Sequence, residues 1–313
     1  MTRQASSTVA ADRPAFDPLA EVVRTWQQFW FTPATSGPLA AVRIGAAVVG
    51  LLLLWSYAAD LETWFGQTGI LPVETVREWR SPLGFSLFDH ATTPAARGGL
   101  VAVTAAALVS LLVGFATPVA AVMSAVLWAS LLHRGPMLAG PADDCLAVLL
   151  WCLVIGPSGE HLSVDGWLRA RAGRPAPGPT VRAAVARGLL LVHGSAITAA
   201  AVLAQLKGDA WWDGLAAWYL AAAPQSRLPW LLPAFAASEY LTNLVTHAVT
   251  LAEVAFATGL WWRPTRRLVA CGGLLFWPLL GLLAGEPFWG VTMALFGLPF
   301  AVEPVGAAVS HPA

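Results

Sequence analysis

The amino-acid sequence predicts an all-α fold: a polytopic integral membrane helical bundle of about eight transmembrane helices, preceded by an interfacial amphipathic helix. Hydrophobic residues make up 57% of the 313 residues and charged residues only 12%, whereas an ordinary soluble domain has roughly twice that charged fraction. Several apolar runs of about 16 to 22 residues follow one another, which is the length that crosses a bilayer as helix. These runs are continuous rather than alternating, which argues against β-strands.

Eight apolar runs are expected to span the membrane. In chain order they are Pro38–Ala59, Gly98–Thr117, Pro118–Leu132, Ala142–Pro157, Ala183–Leu206, Tyr240–Trp262, Leu268–Gly285 and Pro287–Val302. The third, fourth and eighth runs are short, so seven spans is the alternative count.

The segment before the first span is predicted to lie on the membrane surface. We expect residues 1–16 to be disordered, 17–32 to form the interfacial helix, 33–304 to form the transmembrane domain, and 305–313 to be a cytoplasmic tail. Asp17 followed by Pro18 is typical of a helix start. From Leu19 to Trp30, apolar residues recur at helical spacing and include Trp26, which is typical of a helix lying in the interface.

The distribution of arginine predicts the orientation. If the N-terminus is cytoplasmic, eight spans place the two richest clusters, Arg169–Arg187 and Arg263–Arg267, on the cytoplasmic side, as the positive-inside rule requires. Both termini are then cytoplasmic and Lys207 faces the exterior. The apolar spans make the lipid bilayer the expected partner. The formal net charge is zero, so we expect no surface for nucleic acid.

Lys207 is the only lysine in the chain, and it directly follows the span that ends at Leu206. An amine at the edge of an apolar segment loses hydration, which favours its neutral form and allows it to act as a base. Asp209 and Asp213 lie close in sequence and favour the protonated form, so the sequence does not fix the net direction. The alternative is that the side chain extends to the membrane surface and anchors the helix end. Trp211 and Trp212 follow in an aromatic loop that is expected either to lie in the interface or to roof a ligand cavity.

An acidic pair begins the fourth predicted span. Asp143 and Asp144 come shortly after His133 and Arg134. The carboxylates could simply cap the helix, where they interact favourably with its dipole. Together with the histidine and arginine they could instead form a polar pocket at the exterior face.

Two further polar residues fall within predicted spans. His193 is a candidate ligand-binding residue, with hydrogen-bonded packing as the alternative, and no spacing of residues predicts a metal site. Glu253 is expected to neutralise an arginine or a histidine in the bundle.

Several short motifs resemble the HTTM domain, the transmembrane domain shared with vitamin K-dependent γ-carboxylases. The string from Lys207 to Trp211 resembles the K-x-x-x-W segment of that family. Other segments that resemble the family in the same chain order are Pro38–Gly45, Gly69–Pro72, His133–Pro136, Gly140–Asp144 and Gly159–Asp165, with Phe288 and Met293 near the end.

The resemblance implies a bacterial HTTM-only protein of the inner membrane and a role for Lys207. In the carboxylases a lysine deprotonates a reduced naphthoquinone, so the resemblance implies a vitamin K-like quinone as cofactor and Lys207 as the base. We expect an oxidase or epoxidase-like reaction rather than full peptide carboxylation, because the sequence ends at Ala313 without the extra-membrane domain of the carboxylases. The alternative is a non-catalytic membrane factor for maturation or export of a secreted peptide.

Overall fold

A computed structural model of the protein describes residues 18–81 and 84–302. Within these ranges every regular element is helical, and the only β contact is an isolated bridge between Ala34 and Thr180. The all-α prediction is therefore confirmed for this part of the chain. The predicted disordered N-terminus, residues 1–16, and the predicted tail, residues 305–313, lie outside the described residues.

The described residues form a succession of long helices joined by short ones. The α-helices are α1 (Pro18–Phe31), α2 (Gly37–Ala59), α3 (Leu61–Phe65), α4 (Val73–Trp79), α5 (Pro94–Val113), α6 (Thr117–Arg134), α7 (Pro141–Ile155), α8 (Val164–Arg171), α9 (Val181–Gln205), α10 (Asp209–Trp212), α11 (Ala216–Ala222), α12 (Leu232–Ala237), α13 (Glu239–Gly259), α14 (Arg263–Ala284) and α15 (Pro287–Ala301). Two short 3₁₀ helices cover Leu87–His90 and Pro229–Leu231.

Four of the described helices are long and apolar enough to cross a membrane. They are α2, α5, α9 and α14, which are 23, 20, 25 and 22 residues long. In length and composition these four helices are suited to cross a bilayer, as those of a membrane protein are. Each of the eight predicted spans coincides with a helix, but α6, α7, α13 and α15 are shorter or less apolar than these four.

The second predicted span begins and ends earlier than expected. It was placed at 98–117, whereas α5 runs from Pro94 to Val113. The hydroxyl of Thr93 accepts a hydrogen bond from the backbone N–H of Ala96, and Pro94 occupies the first helical turn. Gly114 ends the helix in the left-handed conformation, with φ of 70°, as glycine commonly does. Local capping chemistry therefore sets both ends, rather than the apolar run.

The bundle is closed by a tight hairpin of α14 and α15. α15 is buried along most of its length, and it contacts α2, α7 and α9 as well as α14. A Cβ on Gly290 would overlap the carbonyl oxygen of Trp277, and one on Gly281 would lie 2.7 Å from that of Glu286. Glycine at these positions lets the two helix backbones approach closely.

α1 packs along the beginning of α9 and leaves an apolar face uncovered. The ring of Phe29 stacks on that of Trp261, with centroids 5.4 Å apart, and Trp30 lies against Gly188. Leu19 and Trp26 are 76% and 62% exposed. The apolar residues that the sequence placed on one face thus divide between the bundle and the outside.

Helices α2 and α9 start side by side and lead to the same end of the bundle. Ala34, just before α2, and Thr180, just before α9, exchange two backbone hydrogen bonds of 3.1 and 2.9 Å. The segment after α2, residues 60–93, is called the first connection. The segment after α9, residues 206–238, is called the second connection.

Candidate functional site

Lys207 lies in the turn that ends α9. The backbone N–H groups of Leu206 and Lys207 donate to the carbonyl oxygens of Val202 and Ala204 and close the last helical turn. The Lys207 side chain is exposed, and it has no hydrogen bond or ion pair with any described residue. Asp209 and Asp213 lie nearby in sequence, but neither pairs with its ammonium group.

The surroundings of Lys207 are apolar and exposed. Leu203 is 62% exposed, Leu206 41% and Trp212 64%. The indole N–H of Trp212 donates to the carbonyl oxygen of Leu206 at 2.8 Å, which fixes the ring beside the helix end. Trp211 is half-buried against Gly208, with 3.5 Å between its ring and the position of a Cβ there. Lys207 is thus a single cation at the edge of an apolar surface.

The second connection folds back onto α13. The hydroxyl of Thr246 donates to the carbonyl oxygen of Gly214 at 2.9 Å and accepts from the backbone N–H of Ala217 at 3.0 Å. Gly214 has φ of 74°, and a Cβ there would overlap the side chain of Asn243. Only glycine satisfies both requirements without strain. These contacts hold the loop that carries Lys207 against the bundle.

A buried acid lies inside the bundle beside the last turn of α9. Glu253 on α13 is completely buried, and neither carboxylate oxygen has a hydrogen-bond partner among the described residues. The amide of Gln205 faces it without reaching hydrogen-bond geometry, while the hydroxyl of Thr250 donates to Gln205 Oε1 at 3.4 Å. The prediction that Glu253 neutralises an arginine or a histidine was wrong. Among the described residues no arginine or histidine forms an ion pair with it, so its burial has a cost in desolvation.

Of the acidic pair at the start of α7, Asp143 is buried and Asp144 is exposed. Asp143 is 3% exposed, accepts from the Tyr57 hydroxyl at 2.7 Å and accepts from the backbone N–H of Gly140 at 2.9 Å. The second of these bonds closes the first turn of the helix, as an N-terminal acid does. Asp144 is exposed, and its side chain has no hydrogen bond or ion pair with a described residue. In this structure Asp143 therefore caps the start of α7 and bonds to Tyr57.

His133 and Arg134, predicted to bind a ligand, bind the first connection. Arg134 is completely buried, and one terminal nitrogen donates to the carbonyl oxygens of Phe65, Gly66 and Leu71 at 3.2, 2.8 and 3.0 Å. Its Nε and its other terminal nitrogen are buried without a hydrogen-bond partner among the described residues. The His133 ring nitrogen Nδ1 lies 2.9 Å from the carbonyl oxygen of Phe85. Both side chains therefore bind backbone carbonyl oxygens of the first connection that are not bonded within a helix.

Two further arginines, Arg80 and Arg97, hold the first connection. Together with His133 and Arg134 they are called the clamp. Arg80 forms a two-pronged bond with the carboxylate of Asp89, at 2.6 and 3.1 Å, and also donates to the carbonyl oxygen of His133. Arg97 pairs with both oxygens of Glu62. Burial would raise the pKa of Asp89, but its hydrogen bonds to Arg80 and the charges around it hold that pKa below its ordinary value.

Sequence reasoning missed this clamp. Its partners lie 9 to 69 residues apart along the chain. Only the charge alternation between Arg77 and Asp89 could have indicated an ion pair. The Tyr57 contact to Asp143 gave no signal, because tyrosine near a helix end is common at membrane interfaces.

The remaining predicted residue, His193, bonds within its own helix. Its Nδ1 lies 2.8 Å from the carbonyl oxygen of Leu189, one turn earlier on α9. The predicted site residues therefore fall into separate groups. Asp143, His133 and Arg134 serve the first connection and α7, whereas Lys207 and the two tryptophans belong to the second connection. No hydrogen bond or ion pair joins these groups in the described ranges.

Comparison with protein-family models, with curated proteins and with solved structures gives no match to this chain, so its chemistry has to be inferred from its own geometry.

Proposed function

We propose that the protein crosses the membrane eight times, through α2, α5, α6, α7, α9, α13, α14 and α15. The four helices beyond the long apolar ones pack directly against them: α6 on α5, α7 on α2 and α9, α13 on α9, and α15 on α2 and α14. At 15 residues each, α7 and α15 are about 22 Å long, less than the ~30 Å of a bilayer core. Both are mostly buried by longer helices, which reduces their need to match the bilayer.

The arginine clusters that start α9 and α14 support a bacterial inner-membrane protein with both termini cytoplasmic. In this arrangement α1 lies in the cytoplasmic interface with Leu19 and Trp26 towards lipid. Cysteine substitutions at Thr68 and Gln225, both exposed, should then react with a membrane-impermeant maleimide on intact spheroplasts, while one at the exposed Ala172 should not. Labelling at Ala172 alone would reverse the orientation.

We further propose that the protein acts on a reduced naphthoquinone-like substrate with Lys207 as the base, as the likeness to the HTTM domain suggests. The observation that carries this proposal is the unpaired Lys207 amine beside the exposed apolar side chains of Leu203, Leu206 and Trp212. A quinol ring that arrives from the bilayer could lie on this surface. No acid is paired with the amine among the described residues, so its nitrogen is free to contact a bound ring.

In this proposal Lys207 carries out a single proton transfer. The neutral amine accepts the hydroxyl proton of the bound hydroquinone, which leaves the more easily oxidised anion for reaction with oxygen. Three other cations at this end of the bundle, Arg80, Arg97 and Arg134, donate to carboxylates or carbonyl oxygens. A guanidinium also stays protonated at accessible pH, so arginine cannot serve in its place.

The test is oxygen uptake by purified protein supplied with reduced menadione. Lys207→Ala and Lys207→Arg should each lower the rate about a hundredfold or more, since that is the contribution of a general base. Quinol binding, followed by quenching of tryptophan fluorescence, should be retained. Arg227→Gln is the matched control in the same connection and should leave the rate unchanged.

A Lys207→Arg protein with the full rate would exclude the base and leave Lys207 as an anchor of the helix end. A wild-type protein without any quinol-dependent oxygen uptake would reject the quinone proposal itself.

A further inference from the structure

A polar cavity of about 310 Å³ lies at the end of the bundle opposite Lys207. It opens between the start of α6, the end of α7, the turn before α8 and the start of α9. Its polar lining includes two hydroxyl residues, two acids and two arginines, namely Thr117, Ser158, Glu160, Asp165, Arg169 and Arg182. None of these residues takes part in the proposed quinol chemistry.

The two acids of the cavity are already engaged. Asp165 accepts from the backbone N–H groups of Ala116 and Thr117 at 2.9 and 2.7 Å, and so occupies the N-terminus of α6. Glu160 accepts from the hydroxyl of Ser36. Each carboxylate therefore serves to hold the cavity wall.

The two arginines, in contrast, have donors to spare. One terminal nitrogen of Arg169 is buried and has no hydrogen-bond partner among the described residues. Arg182 uses only Nε, which donates to the carbonyl oxygen of Ile155 at 3.1 Å. Neither guanidinium forms a salt bridge within the described ranges. The cavity thus presents positive charge with unused N–H groups.

Two buried hydroxyl groups are also without partners. Thr117 and Ser158 are 2% and 1% exposed, and the described residues provide no hydrogen bond for either side-chain oxygen. A buried polar group left unpaired costs free energy, so such groups usually mark a missing ligand or water. Hydroxyl and guanidinium donors around one cavity suit an anion with several acceptor oxygens, such as a phosphate group.

The surface beside the cavity indicates what carries that phosphate. Val119 and Val122 on α6 are 64% and 43% exposed, and Trp151 and Ile155 on α7 are 46% and 39% exposed. Both helices line the cavity with residues next to these, Pro118 and Leu153 among them. A ligand that fills the cavity with its charged group can therefore lay an apolar chain along α6 and α7.

We propose that this cavity binds the phosphate of a phospholipid headgroup, through Arg169, Arg182 and the hydroxyls of Thr117 and Ser158, while the acyl chains lie along α6 and α7. The inference rests on the proposed eight-span arrangement, which places both helices in the bilayer, and is independent of any role for Lys207. In that arrangement the lipid belongs to the cytoplasmic leaflet.

The experiment measures thermal unfolding of the full chain, delipidated in detergent, as dioleoylphosphatidylglycerol is titrated in. The lipid should raise Tm in a saturable way. Arg169→Gln combined with Arg182→Gln should weaken the apparent affinity at least tenfold. Arg174→Gln, an exposed arginine that does not line the cavity, should leave the affinity unchanged. An equal loss in Arg174→Gln would show general charge attraction and overturn the site.

Two other ligands separate the parts of the lipid. Dioleoylglycerol lacks the phosphate and should fail to stabilise the protein, so stabilisation equal to that by the phospholipid would overturn phosphate recognition. Glycerol 3-phosphate lacks the chains and should bind far more weakly. If it stabilised the protein as well as the lipid at equal concentration, the site would be one for a soluble phosphate and the lipid assignment would fail.

The hydroxyl pair provides a second, independent variant. Thr117→Val and Ser158→Ala remove unpaired polar atoms, so the delipidated protein should fold with unchanged or higher Tm. The affinity for the phospholipid should nevertheless fall several-fold. Unchanged affinity in the double variant would remove the hydroxyls from the site, and the proposal as stated would be wrong. Failure of the eight-span arrangement would be seen in the cysteine labelling, which uses no added lipid. It can therefore be distinguished from failure of the lipid site.

Discussion

The first and second connections lie at the same end of the bundle but are stabilised by different means. The first connection is held by arginine: Arg134 binds three carbonyl oxygens, and Arg80 and Arg97 each bind a carboxylate. The second connection has no salt bridge among its described residues and packs through Phe235, Ala217 and Ala221, with hydroxyl bonds from α13. Its one lysine is left unpaired.

This difference separates structural cations from available ones. A buried guanidinium with three backbone partners cannot leave them for a substrate without unfolding the loop that it holds. An exposed amine without partners can bind or release a proton while its loop stays folded. Charge at one end of a membrane bundle therefore does not by itself mark a site, and the partners of each charge have to be followed.

The largest expected effect comes from removing the buried arginine of the first connection. Arg134→Met leaves the carbonyl oxygens of Phe65, Gly66 and Leu71 without their donor, so the free energy of unfolding should fall by about 3 kcal/mol. Arg227→Met, an exposed arginine of the second connection, should change it by less than about 0.5 kcal/mol. Denaturant unfolding in detergent measures both, and equal effects would erase the contrast between the connections.

The second connection should depend on a hydroxyl instead. Thr246→Val removes the group that joins Gly214 and Ala217 to α13, and it should lower the free energy of unfolding by about 2 kcal/mol because both backbone groups lose their partner. Thr258→Val is the control: the same change on the same helix, at an exposed residue whose hydroxyl bonds only within the helix. A Thr246 variant as stable as the control would show that apolar packing alone holds this loop.

Acid should weaken the first connection selectively. The pKa of Asp89 lies below its ordinary value in the folded protein, so its ion pair contributes stability above the unfolded pKa of about 3.9, and this contribution is lost as pH falls through the folded pKa. Arg97 likewise lowers the pKa of Glu62 through its hydrogen bond. Asp89→Asn should have a lower Tm than the wild type at neutral pH. Between pH 6 and pH 3, however, its Tm should fall less than that of the wild type. Parallel curves would assign the acid sensitivity to other groups.

The smallest expected effect on stability belongs to Lys207. Because its amine has no partner among the described residues, Lys207→Met should change the free energy of unfolding by less than about 0.5 kcal/mol. A loss as large as that of Arg134→Met would mean that the ammonium anchors the end of α9, which is the alternative predicted from the sequence.

The sequence was most informative where the physics is local. Continuous apolar runs predict membrane helices, and each predicted span does coincide with a helix. Helix ends were predicted less well, since the Thr93 cap and the turn at Gly114 override the edge of the apolar run around α5. The sequence shows that the apolar runs of α7 and α15 are short, but it cannot show that these helices are enclosed, because enclosure depends on which helices surround them.

The partners of charged residues were largely beyond prediction. Glu253 was expected to meet a positive charge and instead forms no ion pair with a described residue, and Arg134 was expected at a ligand and instead binds backbone. Both outcomes depend on contacts between distant parts of the chain. Lys207 could be singled out because it is the only lysine, but the absence of a partner for its amine required the three-dimensional arrangement.

The position of α15 has a consequence for how the protein is made. This helix is synthesised after α2, α7, α9 and α14, yet it contacts all four and is almost wholly buried between them. In the proposed eight-span arrangement, the packing of the earlier helices against α15 can form only after α15 itself has been synthesised. Because Gly281 and Gly290 allow the α14–α15 hairpin to close tightly, we expect the two helices to enter the bundle as a pair and to complete it in the final step of biogenesis.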